Sequence, residues 1–385
     1  MSARLILLLG FVSALGPLSI DLYVPAFPDL QRDLGLDDVA VQVTLASMTG
    51  GLALGQAIVG TWSDRVGRRR PLIIASAMHC GGSILCVCAP DLEALLAGRV
   101  LQGVGASGGA VLVVAVIRDI ATREQFLTLL VRVNLVITGA PLLAPVGGAL
   151  LLPLVGWRGL FAVLAALGGL LHILIFRFVP ETVTQAAARP HRRLRVVLGD
   201  AQFRWAVLAG AATYAGVYAY VAASPLLLRN VLGLPPTSFA LVFLFGSIGL
   251  LGGVQLGGAL AKRLSPGIVL LGGSVAACIS ALLLLAIPSA GPGGVAVTLW
   301  MFVSSCGVCF PCASTLALSD HSKQAGTASS AYGFITFASA ALVSPLPGLI
   351  GVHDASSVAV VLGATSSLCV VVAGIGLRRG ARCRC

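Results

Sequence analysis

The sequence predicts an all-α membrane protein with twelve transmembrane helices in two pseudo-symmetric six-helix bundles. Three observations carry this. The 385 residues are 57% hydrophobic and only 10% charged, whereas a soluble domain of this size carries about 25% charged residues to cover its surface. Apolar runs of about twenty residues, each long enough to cross a bilayer, recur from end to end. Landmarks of the first half return about 200 residues later.

The runs lie at approximately 5–27, 40–62, 71–90, 94–117, 128–152, 158–179, 205–228, 238–261, 267–287, 294–318, 327–351 and 356–377. The opening "MSARLILLLGFVSALG" has the basic, apolar and small-residue order of a signal peptide. The apolar run continues through Asp21 to Phe27 and further spans follow, so it reads as an uncleaved first helix. When the loops are assigned to alternate sides, one side sums to +14 and the other to −4, with +1 inside spans from Asp21, Arg99 and Arg132. The net charge of +11 is therefore a positive-inside signal facing a lipid bilayer and not a nucleic-acid surface. Both termini are expected in the cytoplasm, as an even span count also requires.

The long polar connection 180–204, "PETVTQAAARPHRRLRVVLGDAQFR", divides the chain. An N-terminal bundle over 1–179 and a C-terminal bundle over 205–385, ending in a short basic tail, are expected on either side of this basic cytoplasmic linker. Pro25 falls on Pro225, and Pro145 falls on Pro345. At a shift of 198, Asp64-Arg65 falls on Lys262-Arg263. Such matches at equivalent ends of equivalent spans suggest duplicated halves in parallel orientation.

Catalytic classes find little support. Cys306, Cys309 and Cys312 have CxxCxxC spacing, which can ligate a metal or an iron–sulfur cluster. They lie in an apolar span without a suitably spaced fourth ligand, so packing thiols are expected. Cys383 and Cys385 end a tail where thiols stay reduced. The five histidines are scattered singly, and no Walker A sequence occurs. No catalytic residues, metal or cofactor are expected, and the chain does not read as an enzyme.

The strongest local signal is "GTWSDRVGRRRPL" (Gly60–Leu72), with Gly60, Asp64, Arg65, Gly67, Arg68, Arg69 and Arg70 in G-x-x-x-D-R-x-G-R-R-R spacing. A tight turn with positive-inside charges would explain the arginines, but not Asp64 or the glycine spacing. "GRVLQGVGASGGA" (Gly98–Ala110) contains a dinucleotide-type G-x-G-x-x-G, but in an apolar span instead of a strand–turn–helix. Its glycines read as helix-packing residues. "GAPLLAPVGGALL", starting at Gly139, carries Pro141, Pro145 and Gly148, with Ala144 and Ala149 beside them.

The first of these stretches resembles the loop signature of the major facilitator superfamily. The third is similar to that family's antiporter motif, with alanines at 144 and 149 in place of two glycines. R-x-x-Q-G at Arg99, Gln102 and Gly103 looks like its fourth-span motif. Adding "IDLYVPAFPDL", "VIRDI", "GWRGLF" and "PET" sharpens the resemblance to the Bcr/CflA (bicyclomycin/chloramphenicol resistance) drug:proton antiporters. The resemblance implies a cytoplasmic latch at Gly60, Asp64, Arg65, Gly67, Arg68 and Arg69. It also implies an exporter's fifth span, and a central cavity lined by spans 1, 4, 7 and 10.

Two charges inside spans are the sharpest candidates. Asp21 lies eight residues before Asp29, about 12 Å deep at helical rise, and Arg99 lies six residues past Glu93, about 9 Å deep. Intramembrane ionisable groups mark ion or substrate routes. Asp21 is the expected proton-coupling acid, with Arg99 as its expected partner in the cavity. The alternatives are an aspartate at a fraying helix end and a snorkelling arginine. The second half has Val221 and Leu299 at the matching positions, so coupling is expected in the first half only.

For the substrate, Tyr214 and Tyr218 share a helix face at i,i+4, with Tyr220 and Ser224 on the same span; Asn134 and Arg132 in span 5 are further polar candidates. Tyrosines there serve packing equally well. The function expected is monomeric, secondary active efflux of small amphipathic drug-like compounds against protons in a bacterial cytoplasmic membrane. Export of an endogenous metabolite such as a sugar or amino acid, or uniport, is the competing reading. A membrane-embedded enzyme would need a constellation that the sequence lacks.

Overall fold

A computed structural model describes residues 3–182, 194–286 and 291–382. Every regular element among them is helical. Eleven helical stretches among the described residues are long and apolar enough to cross a membrane. They divide into two units, Met1–Gly35 with Ser47–His191, and Leu36–Ala46 with Arg192–Cys385.

The first unit opens with α1, Ala3–Asp21, where a single helix through Phe27 is expected from the sequence. Pro25 supplies the reason for the early end. Its ring collides with the carbonyl four residues back, that of Asp21, and it has no N–H to donate. A short 3-10 turn, Val24–Ala26, and α2, Phe27–Leu34, follow. Then come α3, Asp38–Val66, α4, Arg69–Cys88, and α5, Leu92–Ile120, capped by the Asp91 carboxylate on the Ala94 N–H.

Helix α6 runs from Arg123 to Phe178, about 84 Å at helical rise, far beyond a ~30 Å hydrocarbon core. It is two spans. Gly156, at φ +67° and ψ 179°, breaks it, a backbone state that glycine adopts without strain. Before the break, Val136 sits against Gly10 and Gly148 against Leu22. After it, Trp157 bonds Asp33, Gly168 faces His79, and Arg69 bonds the Phe176 carbonyl. The partners ascend and then descend, so the chain reverses with one residue where a short loop is expected.

The second unit contains α7, Leu194–Gly199, α8, Ala201–Pro225, α9, Pro236–Arg263, and α10, Pro266–Ala286. It continues with α11, Gly291–Leu318, α12, Ala325–Val343, α13, Leu346–Ile350, and α14, Ala355–Arg382. Pro225 ends α8 and leads into a π-helical turn, Leu226–Val231. Both units thus wind irregularly at the matching prolines. Segment Leu36–Ala46 packs in this unit. There Gln42, fully buried, donates to the Ala222 carbonyl at 3.3 Å and accepts the Gly348 N–H at 2.8 Å.

The repeat extends to helix packing. In the first unit α1 packs on α5 and α6, and α4 on α5 and α6; in the second α8 packs on α11 and α12, and α10 on α11 and α14. Gly51 and Gly103 meet backbone to backbone, and Gly253 and Gly307 do the same in the second unit. Added Cβ atoms would come within 2.2 Å of the Met48 carbonyl at Gly103 and 2.3 Å of the Leu250 carbonyl at Gly307. Such seams let membrane helices approach closely. They also explain the G-x-G-x-x-G run, since Gly105 and Gly108 lie against the α4 residues His79 and Ala75.

Candidate functional site: a broken helix around Asp21 and Arg99

Asp21 is the last residue of α1 and is only 7% exposed. Its carboxylate makes no hydrogen bond or ion pair among the described residues. Arg99 is fully buried on α5. It does not pair with Asp21. Its Nη1 donates to the Ser19 carbonyl at 2.9 Å and to Gln102 Oε1 at 2.6 Å. Its guanidinium lies 4.1 Å from the Tyr23 ring centroid and 5.5 Å from that of Phe161.

The geometry has a simple cause. A helix that stops leaves its last carbonyls without intrahelical donors. The Leu18 carbonyl is still met by the Leu22 N–H, and the Ser19 carbonyl is met by Arg99. A cation at a helix C-terminus also faces the negative end of the dipole. Arg99 is therefore anchored inside the unit, where the snorkelling alternative would carry it to the interface. The aromatic faces of Tyr23 and Phe161 add cation–π attraction.

The antiporter-motif residues meet the same break. A Cβ at Gly148 would stand 2.0 Å from the Leu22 carbonyl, next to Asp21. Pro145 is buried and Pro141 half-buried on the same helix. Ala144 and Ala149, both 2% exposed, pack beside them.

The Gly60–Arg70 stretch is organised inside the first unit. Gly67 has φ +93°, and a Cβ there would lie 2.4 Å from the Glu181 carboxylate. That carboxylate accepts the Arg68 and Arg69 N–H groups at 2.8 and 3.2 Å. Arg68 reaches Asp119 at 3.2 Å and Ser63 Oγ at 2.6 Å, and Ser63 donates to the Gly60 carbonyl at 3.0 Å. Arg65 and Arg70 are exposed. The Asp64 side chain lies outside the described residues, as do residues 183–193 of the linker and Cys383 and Cys385.

In the second unit Tyr214 and Tyr218 stack with centroids 6.4 Å apart. Phe310 of α11 and Phe337 of α12 complete the group, at 4.6 and 5.6 Å from Tyr214. Neither phenylalanine is marked by sequence pattern. Ser224 is buried and donates to its own helix, to the Tyr220 carbonyl at 2.5 Å. Asn134 and Arg132 are exposed on α6 of the first unit. Cys306, Cys309 and Cys312 are buried in α11. Val221 and Leu299 are buried and apolar.

Comparison with known proteins shows the family. The model of the Major Facilitator Superfamily matches residues 9–345, and the chain belongs to that family. It is a multi-pass membrane transporter of small molecules, not an enzyme. An uncharacterized MFS-type transporter YdgK of Bacillus subtilis (strain 168) is 32% identical, with 89% of this chain and 88% of that protein aligned. A bicyclomycin resistance protein homolog of Haemophilus influenzae is 26% identical over 95% of this chain and 93% of its own, in keeping with Bcr/CflA-type membership. A crystal structure of a D-xylose-proton symporter shares the fold with a TM-score of 0.78, at 16% identity over 97% and 96% of the two chains.

Proposed function

We propose that the chain is a proton-driven exporter of small amphipathic, drug-like compounds, working by alternating access as a monomer. The observation that carries this is Asp21: a buried carboxylate with no hydrogen-bond or ion-pair partner among the described residues, at the broken end of the first helix, while Arg99 is engaged by the Ser19 carbonyl and Gln102. Intramembrane acids held in this way are expensive and are retained for transport chemistry. The carboxylate takes a proton from outside and releases it inside, and substrate competes for the same site. Motion that brings Arg99 from the Ser19 carbonyl toward Asp21 favours release, because a nearby cation favours the charged acid.

Tyr214, Tyr218, Phe310 and Phe337 offer the aromatic surface that suits a largely apolar substrate. Asn134 and Ser224 are secondary candidates. The Gly60–Arg69 motif is the cytoplasmic latch, prepared by Glu181 and Asp119, and the Pro141, Pro145, Gly148 helix commits the carrier to antiport. The name of the bicyclomycin resistance relative supports drug export. Loop charges support cytoplasmic termini in a bacterial cytoplasmic membrane. The domain division expected at 180–204 makes the two bundles the moving bodies. Substrate movement in inverted vesicles under an imposed pH gradient, with and without Asp21→Asn, tests this reading.

A further inference from the structure

One buried titratable side chain of the first unit has no place in the coupling scheme. His79 is fully buried on α4, with Nε2 2.8 Å from Ser19 Oγ. Two neighbouring helices make room for it. A Cβ at Gly168 of α6 would lie 2.7 Å from Nδ1, and one at Gly105 of α5 would lie 2.3 Å from the His79 main-chain nitrogen. Nδ1 has no hydrogen-bond partner among the described residues. A leucine would fill such a slot without a polar atom to desolvate, so packing alone does not explain an imidazole.

Ser19 is the link to the site. Its hydroxyl meets His79, and its carbonyl receives Arg99. From Arg99 the bonds pass to Gln102, from Gln102 Nε2 to Ser83 Oγ at 2.8 Å, and from Ser83 Oγ back to the His79 carbonyl at 2.8 Å. All five residues are fully buried. The closed ring ties the last turn of α1, two residues before Asp21, to α4 and α5. Other ionisable groups about the ring, among the described residues, are Asp21, Tyr23 with its ring 4.1 Å from the Arg99 guanidinium, Cys80 and Cys86 on α4, and His172 on α6, which bonds Ser76 at 3.0 Å.

We infer that His79 is a positioning residue for the coupling site: through Ser19 it fixes the last turn of α1 and so keeps Arg99 on the Ser19 carbonyl and off the Asp21 carboxylate. This rests on the reading of Asp21 as the coupling acid. Without His79 the turn loosens, the carbonyl leaves Arg99, and the guanidinium is released toward Asp21.

The test is an infrared pH titration of the protonated Asp21 carboxyl band in full-length protein reconstituted in lipid, with the band assigned by its loss in Asp21→Asn. His79→Leu and Ser19→Ala should each move the midpoint toward acid by about one pH unit. The double variant should move it no further than either single variant, as coupled neighbours do. His79→Gln, which keeps a donor within reach of Ser19, should recover at least half of the shift. A wild-type midpoint in either single variant, or additive shifts, overturns the inference. If His79→Leu does not fold, Ser19→Ala alone must show the shift, and its absence overturns the inference. A wild-type protein with no titrating band that Asp21→Asn removes would instead sink the coupling reading itself.

Discussion

Arg99 donates its Nη1 hydrogen to the carbonyl of Ser19 at 2.9 Å, two residues before the carboxylate that the sequence offers as its partner. The contact exists because α1 stops at Asp21 and leaves that carbonyl without a helical donor. One nitrogen also serves Gln102 at 2.6 Å. The guanidinium does this while its planar face lies on the Tyr23 ring; a lysine ammonium has the donors but no planar face to stack. Arg99→Lys is expected to lose about 1.5–3 kcal/mol, the range for a hydrogen bond to a charged group. Thermal unfolding in detergent checks the loss, and gradient-driven transport should fall with it.

Pro25 is expected to create the break. In Pro25→Ala the Asp21 carbonyl meets an N–H donor, and α1 can continue past Asp21. Amides 23–25 should then gain hydrogen-exchange protection. Transport should fall while thermal stability stays level or rises, since a proline inside a helix costs about 3 kcal/mol or more.

Gly147 and Gly148 offer an internal control one residue apart. A Cβ at Gly148 lands 2.0 Å from the Leu22 carbonyl, whereas the nearest atom to one at Gly147 is the Leu22 Cδ1 methyl at 3.8 Å. Gly148→Ala should lower the unfolding temperature and transport, because overpacking costs about 1–3 kcal/mol. Gly147→Ala should leave both near wild type, or raise stability by the helix propensity of alanine.

Asp354 caps α14 by accepting the Ser356 hydroxyl at 2.6 Å and the Ser357 N–H and hydroxyl at 2.9 and 2.8 Å. These bonds, that from Ser356 foremost, hold its carboxyl down at a pKa of about 2. A depressed folded-state value contributes stability above the unfolded value, lost as pH falls through the folded one. The stability difference between wild type and Asp354→Ala should thus hold from neutral pH to about 4 and vanish near 2. Its size should be about 1 kcal/mol or less, since the cap is solvent-screened. Denaturation across pH reads both.

Much of the fold was legible because hydropathy and punctuation are local properties. The spans, Pro25, Pro225 and the Gly60–Arg70 motif all announce themselves within about twenty residues. In the sequence the repeat shows only as scattered prolines and one charged pair; its firmer trace, the Gly51–Gly103 and Gly253–Gly307 seams, needs knowledge of which helices touch. Asp21 and Arg99 were identifiable as charges in apolar runs, but their expected pairing is not what forms. The actual acceptor is a main-chain carbonyl, and a carbonyl freed by a helix break leaves no mark in residue identity. His79 looked like a lone histidine for a similar reason: Ser19 and Gly168 lie 60 and 89 positions away in the sequence. Glu181, which clamps the turn at Gly67, belongs to the "PET" stretch but gave no sign of its partner. The reversal at Gly156 was hidden because a single glycine replaced a polar loop.

The central claim, that Asp21 carries the proton whose movement drives export, is tested most directly by substrate flux in inverted membrane vesicles under an imposed pH gradient. Wild-type protein should accumulate substrate when the gradient is applied and lose it when the gradient is collapsed. Asp21→Asn should still exchange substrate down its own gradient but show no response to pH. Gradient-driven accumulation by Asp21→Asn at the wild-type rate would contradict the claim.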